Sequence, residues 1–217
     1  MLNFGTSAFL KLVCLNDRPQ RTELRNRVAS SSGGYDFHRS LRLHIERHLV
    51  GGHSIASLAA SIGQIAREPE RNSVRVGLDQ LGNWRVSHPG EILAYAAVSY
   101  ESPSGLFKVT YTPDFGVRMD GQGVAVHVWN TARPPLLPGM TYAVLSLFAP
   151  AYVGMGDAPN DLAVLSLPDS ELYRLSEAGA YASVGASLVS RLETTLREVI
   201  DELDLPDGDE HPPAPQP

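Results

Sequence analysis

The hydrophobic period changes near Trp84, and this change constrains the fold more than any other feature of the sequence. Before it, apolar residues recur every three or four positions, as in Ile55, Leu58, Ala59, Ile62 and Ile65 or in Val74, Leu78 and Leu81. That spacing buries one face of a helix. After it, Phe107, Val109 and Tyr111 alternate with Lys108, Thr110 and Thr112, and Val124, Val126 and Val128 alternate with Ala125, His127 and Trp129. Alternation by two is the pattern of a strand. A helical stripe returns in Val184, Leu188, Val189, Leu192, Leu196 and Val199 and predicts a long helix over about 180–203. The fold class expected is α+β: a helical N-terminal part, a small mixed β-sheet and a long C-terminal helix packing on the sheet. The division expected is a mainly helical part over 1–85, sheet plus helix over 86–203, and a disordered, acidic, proline-rich tail over 204–217.

Turn and cap residues set the expected boundaries. Pro19 opens a helix through about Val28, Ser30–Gly34 is a loop, and a helix with Asp36 as N-cap ends at Gly51-Gly52. Ser54 caps the next helix, Pro69 opens a third and Gly82 closes it. Residues 1–15 and 91–100 read equally as helix or strand, and Ser170–Leu175 reads as one helical turn.

With 43% apolar and 19% charged residues, the 217-residue chain has the means to form a real core, which excludes disordered and collagen-like classes. The single cysteine, Cys14, excludes a disulfide framework and a cysteine zinc site, and points to a reducing, cytoplasmic compartment. No membrane association is expected, because the apolar run Tyr142–Met155 is too short to span a bilayer. Residues 1–90 hold 12 Lys/Arg against 7 Asp/Glu, whereas residues 91–217 hold 6 against 17. Only the first half has the charge to meet a polyanion.

Two partial resemblances bear on function. Ser57-Leu58-Ala59-Ala60-Ser61-Ile62-Gly63 resembles the second helix and turn of a helix-turn-helix module, with the helix from Glu70 to Leu81 as its recognition helix. The resemblance implies that Arg71, Asn72, Ser73, Arg75 and Arg85 contact nucleic acid and that Trp84-Arg85-Val86 begins a wing. Residues 91–167 resemble the core of restriction-endonuclease-like PD-(D/E)xK nucleases: helix, three strands, helix, strand, with Pro113-Asp114 as first motif. Asp114, Asp120 and His127 are then the candidate catalytic residues. The third strand, Val126-His127-Val128-Trp129-Asn130, lacks that family's acid and lysine, which implies lost metal-dependent catalysis.

Other constellations are incomplete. His44 and His48 lie one helical turn apart, but Glu46 falls on another face, so the zinc-protease motif fails. His38, His44 and His48 are expected on a partly solvated helix flank. The Ser30–Gly34 loop, near Arg25, Arg27 and Arg39, lacks the Gly-Lys-Ser/Thr ending of a phosphate-binding loop. No Gly-x-Ser-x-Gly elbow is present. No cofactor, no metal and no complete catalytic set are therefore expected. The function expected is a bacterial, non-enzymatic adaptor or regulatory subunit with a protein partner or a homo-oligomeric state. DNA binding through helices 54–82 is the first alternative, and a metal-dependent nuclease or its relic is the second.

Overall fold

The first strand, Leu2–Gly5 (β1), runs straight into a helix, Thr6–Val13 (α1), so the ambiguous first residues are both strand and helix. The computed structural model describes residues 1–29 and 37–204. Helices Asp17–Ala29 (α2), Arg39–Leu49 (α3), Ile55–Gly63 (α4) and Glu68–Ser87 (α5) follow. Strands Ile92–Leu93 (β2), Val98–Glu101 (β3), Phe107–Tyr111 (β4), Phe115–Met119 (β5) and Gln122–Trp129 (β6) come next. The chain ends with Pro138–Tyr152 (α6), Asp161–Ser166 (β7), Glu171–Arg174 (β8) and Ala182–Asp204 (α7). The fold is α+β, as expected. The Ser30–Gly34 loop, the Asp36 cap and the tail beyond 204 lie outside the described residues.

The strands form two sheets, in the orders β1-β4-β3 and β2-β5-β6-β7-β8. β1 pairs parallel with β4, Gly5 opposite Thr110. The β5–β6 pair is antiparallel, and β6 pairs parallel with β7 across the α6 crossover. The larger sheet separates two cores. Val124, Val126 and Val128 face Leu41, Ile45, Leu58, Val74 and Leu78 of α3–α5. Ala125 and Trp129, on the opposite face of β6, join Phe9, Leu10, Leu24, Phe148 and Leu196 from α1, α2, α6 and α7. This second core draws on both sides of residue 85, so the expected division does not separate two packed units.

Several local expectations are corrected. Residues 91–100 form two strands rather than the leading helix of the nuclease-like order. Helix α5 does not stop at Gly82 but runs to Ser87, so Trp84-Arg85-Val86 is helix and not a wing. Gly82 is a packing glycine: a Cβ there would sit 2.9 Å from Ile55 Cδ1 of α4. Ser170 sits at φ 57, and the following residues pair as β8 against β7 instead of forming a helical turn. Helix α7 packs on α6 and α2, and its buried face joins the same core as strand residues Val98, Val109 and Ala125. Arg21 ties it to α2, reaching Glu198 at 2.6 Å and Glu202 at 2.5 Å. Ser54 does cap α4, its Oγ accepting the Ser57 N–H at 3.1 Å. No helix among the described residues is long and apolar enough to cross a membrane.

Candidate functional site

His127 lies on β6 between β5 and β7, on the face opposite Val126 and Val128, and is 4% exposed. A histidine so buried needs partners for both ring nitrogens. Its Nδ1 is 3.0 Å from Asp114 Oδ2 and 3.1 Å from the Thr112 carbonyl oxygen. Both are acceptors, so we assign the ring proton to Nδ1. Nε2 then carries the lone pair, and it accepts from the Ser7 hydroxyl at 2.7 Å. Asp114 is fixed in turn. Its side chain is 2% exposed, its Oδ2 accepts the Val128 N–H at 2.7 Å, and its own N–H donates to the Val126 carbonyl at 2.8 Å. Three side chains from α1, the β4–β5 loop and β6 are thus aligned: His127 hydrogen-bonds Ser7 through Nε2 and the Thr112 carbonyl through Nδ1, with the Asp114 carboxylate close beside that nitrogen.

Local sequence explains how Ser7 gets there. Phe4 packs with Phe9 and Phe107 in the apolar core, which anchors both β1 and the start of α1. Thr6 pins the helix start to β4: its Oγ1 donates to the Thr110 carbonyl at 2.9 Å and accepts the Thr112 N–H at 3.4 Å. Gly5 is the N-cap, in extended conformation, and no side chain caps α1. The first N–H groups of a helix have no partner within it and carry partial positive charge. Ser7 is the second helical residue and so belongs to this first turn. Its backbone is ordinary helix, without the left-handed φ found at Asp120 and Ser170.

Ser7 and His127 open onto a cleft of about 590 Å³. Lys11, Arg27 and Arg42 line it, and among the described residues no aspartate or glutamate does. Glu23 lies behind two of these cations, 3.2 Å from Arg27 and 4.0 Å from Lys11. The Arg27 guanidinium also stacks over Phe4, 4.9 Å from the ring centre.

Of the residues singled out from the sequence, Asp114 and His127 meet, and Asp120 does not. Asp120 is exposed at the tip of the β5–β6 hairpin, a strand length of about 20 Å from Asp114 at roughly 3.3 Å per residue. Among the described residues no three His, Cys, Asp or Glu side chains converge as metal ligands. The nucleic-acid candidates all lie on α5, and three of them are engaged within the fold. Arg71 donates to the Ile65 carbonyl at 2.9 Å, tying the α4–α5 connection. Ser73 accepts from Asn130 Nδ2 at 3.0 Å, and Arg85 donates to the carbonyls of His88 and Gly90 at 2.7 and 2.9 Å. Arg85 is partly desolvated there, which lowers its pKa. Asn72 and Arg75 are exposed on α5. Gly63, the turn glycine of the helix-turn-helix resemblance, faces open space.

No family model and no curated protein matches the chain. A solved structure described as the crystal structure of SSO0001 is similar at 14% identity, over 82% of this chain and 84% of that one, with a TM-score of 0.33. At that score the likeness carries no argument.

Of the three histidines expected on a partly solvated flank, His38 and His48 are half-buried, and only His44 is fully enclosed. His44 is buried, with Nδ1 2.7 Å from the Ser40 carbonyl and Nε2 3.0 Å from Ser61 Oγ of α4, because α4 packs across that face of α3. His48 Nδ1 is 2.7 Å from the His53 carbonyl, and His38 Nε2 is 3.2 Å from Thr131 Oγ1 at the cleft. Cys14 is a buried thiol whose pKa is raised by burial, an inert setting.

Sequence reasoning missed Ser7, because its partners lie more than a hundred residues away. A signal was nonetheless present: His127 is the single titratable side chain in the otherwise apolar run Val124–Trp129.

Proposed function

We propose that the chain is a serine hydrolase acting on carboxylic esters, with Ser7 as nucleophile, His127 as general base and acid, and Asp114 orienting His127. One observation carries this reading: a single imidazole bonds Ser7 Oγ at 2.7 Å through Nε2 while the Asp114 carboxylate lies 3.0 Å from its Nδ1, which also meets the Thr112 carbonyl. A nucleophile, a base and a third group that holds the base's tautomer are the parts of covalent acyl transfer, whatever fold presents them. The reading replaces the expected adaptor role because that expectation rested on incomplete catalytic sets.

In the first half-reaction Ser7 Oγ attacks the ester carbonyl carbon as its proton passes to His127 Nε2. The carbonyl π pair moves onto oxygen, where the N–H groups at the start of α1 receive the negative charge. The C–O bond to the leaving group then breaks, and His127 returns the proton to the departing alkoxide. In the second half, water gives its proton to Nε2 and attacks the acyl-Ser7 carbonyl. The bond to Oγ breaks and Ser7 is reprotonated. The Thr112 carbonyl keeps the proton on Nδ1, and the Asp114 carboxylate beside it offsets the positive charge that His127 gains in each half.

The test is hydrolysis of p-nitrophenyl acetate by the full chain. Ser7→Ala is expected to lower kcat/KM by roughly 10³-fold or more with the fold unchanged by circular dichroism. Equal rates in the wild type and in Ser7→Ala would overturn the proposal.

A second reading, a metal-dependent nuclease that keeps activity on a restriction-endonuclease-like core, is supported by the antiparallel β5–β6 pair, the parallel β6–β7 crossover through α6, and Asp114 at the head of β5. It stands second because β6 offers His127 where that core needs an acid and a lysine. It predicts Mg²⁺- or Mn²⁺-dependent cleavage of DNA that survives Ser7→Ala and fails in Asp114→Ala.

A further inference from the structure

The cleft beside Ser7 has a chemical bias that the Ser7–His127–Asp114 line does not itself require. An ester hydrolase for apolar acyl chains needs an apolar slot beside its nucleophile. Here the wall nearest Ser7 continues along α1 to Lys11 and across to Arg27 on α2, with the small polar side chains of Thr112 and Thr131 opposite. Lys11 is one turn beyond Ser7 on α1, so both face the same side of that helix. Lys11 and Arg27 share one carboxylate, Glu23, so the trio presents one net positive charge to the opening. The uncapped start of α1 adds partial positive charge at the same end. Arg27 is also restrained by its stacking on Phe4, so holding its guanidinium towards a ligand costs little further side-chain entropy.

We infer that this cleft binds an anionic group, phosphate or carboxylate, through Lys11 and Arg27. Resting on the hydrolase reading, the substrate is then an ester of a small anionic molecule whose charged end lies on these two residues while its carbonyl reaches Ser7. The cleft volume of about 590 Å³ admits a small metabolite-sized ligand. Such a ligand gains two charge-assisted contacts, and a neutral ester of the same shape gains neither.

The experiment separates this inference from the hydrolase reading by using the Ser7→Ala full chain, which needs no turnover. Inorganic phosphate and, separately, succinate are titrated into it by calorimetry at low ionic strength. Binding of either, weakened at least tenfold in the Ser7→Ala/Lys11→Gln/Arg27→Gln variant, supports the site, and the better binder identifies the anion class. Thermal unfolding of each variant shows that it is folded, and restoring charge with Lys11→Arg is expected to recover part of the affinity. Absence of binding by both anions, or equal affinity with and without the two cations, overturns the inference. Failure of the hydrolase reading shows elsewhere, as ester turnover that does not depend on Ser7.

Discussion

Each face of the large sheet contains a buried histidine bonded to a serine, and the two pairs differ in ways that separate support from chemistry. On the α3–α5 side, His44 bonds Ser61 at 3.0 Å, but its other nitrogen meets a helix carbonyl, that of Ser40. The Ser61 hydroxyl lies 2.9 Å from the Leu58 carbonyl, so its single proton serves a helix acceptor as well as the imidazole. That pair joins α3 to α4, with no carboxylate behind it. On the opposite side, His127 Nδ1 also meets a backbone carbonyl, that of Thr112, but the Asp114 carboxylate lies 3.0 Å from it, with Ser7 in front and a cleft beside it. A histidine–serine contact is therefore not itself a catalytic feature. The carboxylate beside Nδ1, the helix start without a side-chain cap and the adjoining cleft distinguish the second pair.

The largest expected effect tests that contrast directly. His127→Ala should lower ester turnover by roughly 10³-fold or more, whereas His44→Ala should leave the rate per folded molecule within about twofold. Comparable losses in both variants would erase the distinction between the pairs. Next, Asp114→Asn keeps the shape but replaces an ionised acceptor with an amide that can drive the imidazole into the other tautomer. Its kcat should fall by about 10²–10⁴-fold with KM little changed, and an unchanged kcat would remove Asp114 from the line.

Smaller effects concern stability. Removing the imidazole in His44→Ala leaves buried polar groups short of a partner, so chemical denaturation should show a loss of about 1–3 kcal/mol. A loss below about 0.5 kcal/mol would mean that α4 is held by its apolar face alone. The smallest effect is at Glu193 of α7. Burial there acts to raise its pKa, but hydrogen bonds from Ser104 and Ser102 and the nearby Arg197 outweigh it, and the net shift is downward. The Ser104 N–H donates to Glu193 at 2.8 Å and its hydroxyl at 2.5 Å. Because the folded-state pKa is depressed, the stabilisation is present above the ordinary carboxylate value of 4.5 and fades as pH falls through the lower folded value. Wild type should therefore exceed Glu193→Gln in thermal stability near neutral pH and converge with it in acid. A gap that persists undiminished into strong acid would contradict the shift.

Much of the fold was legible because it rests on local rules. Ser54 and Pro69 mark helix starts, and alternation marks β4 and β6. The errors came where distant packing decided. Gly82 reads as a stop, but it admits Ile55 of α4 into close contact while Leu81 and Trp84 carry the buried stripe onward. The segment after Ser170 reads as helix, yet β7 offers an edge to pair with. β1 was ambiguous because only its partner β4, more than a hundred residues away, makes it a strand. The site follows the same logic. Asp114 and His127 stood out as a turn acid and an odd polar residue in a strand. Ser7, one small polar residue at a helix start, has no local signature, and its meaning comes from the parallel β1–β4 pairing that carries it to His127.

The central claim is that Ser7 is a nucleophile activated by His127, and phosphonylation reads this most directly. The full chain would be incubated with a fluorophosphonate, which loses fluoride on forming a bond to an activated serine oxygen, and the adduct would be located by peptide mass spectrometry. The account predicts one adduct, on Ser7, with Ser61 untouched and with labelling slowed at least a hundredfold in His127→Ala. An unmodified Ser7, or equal labelling rates with and without His127, would contradict it.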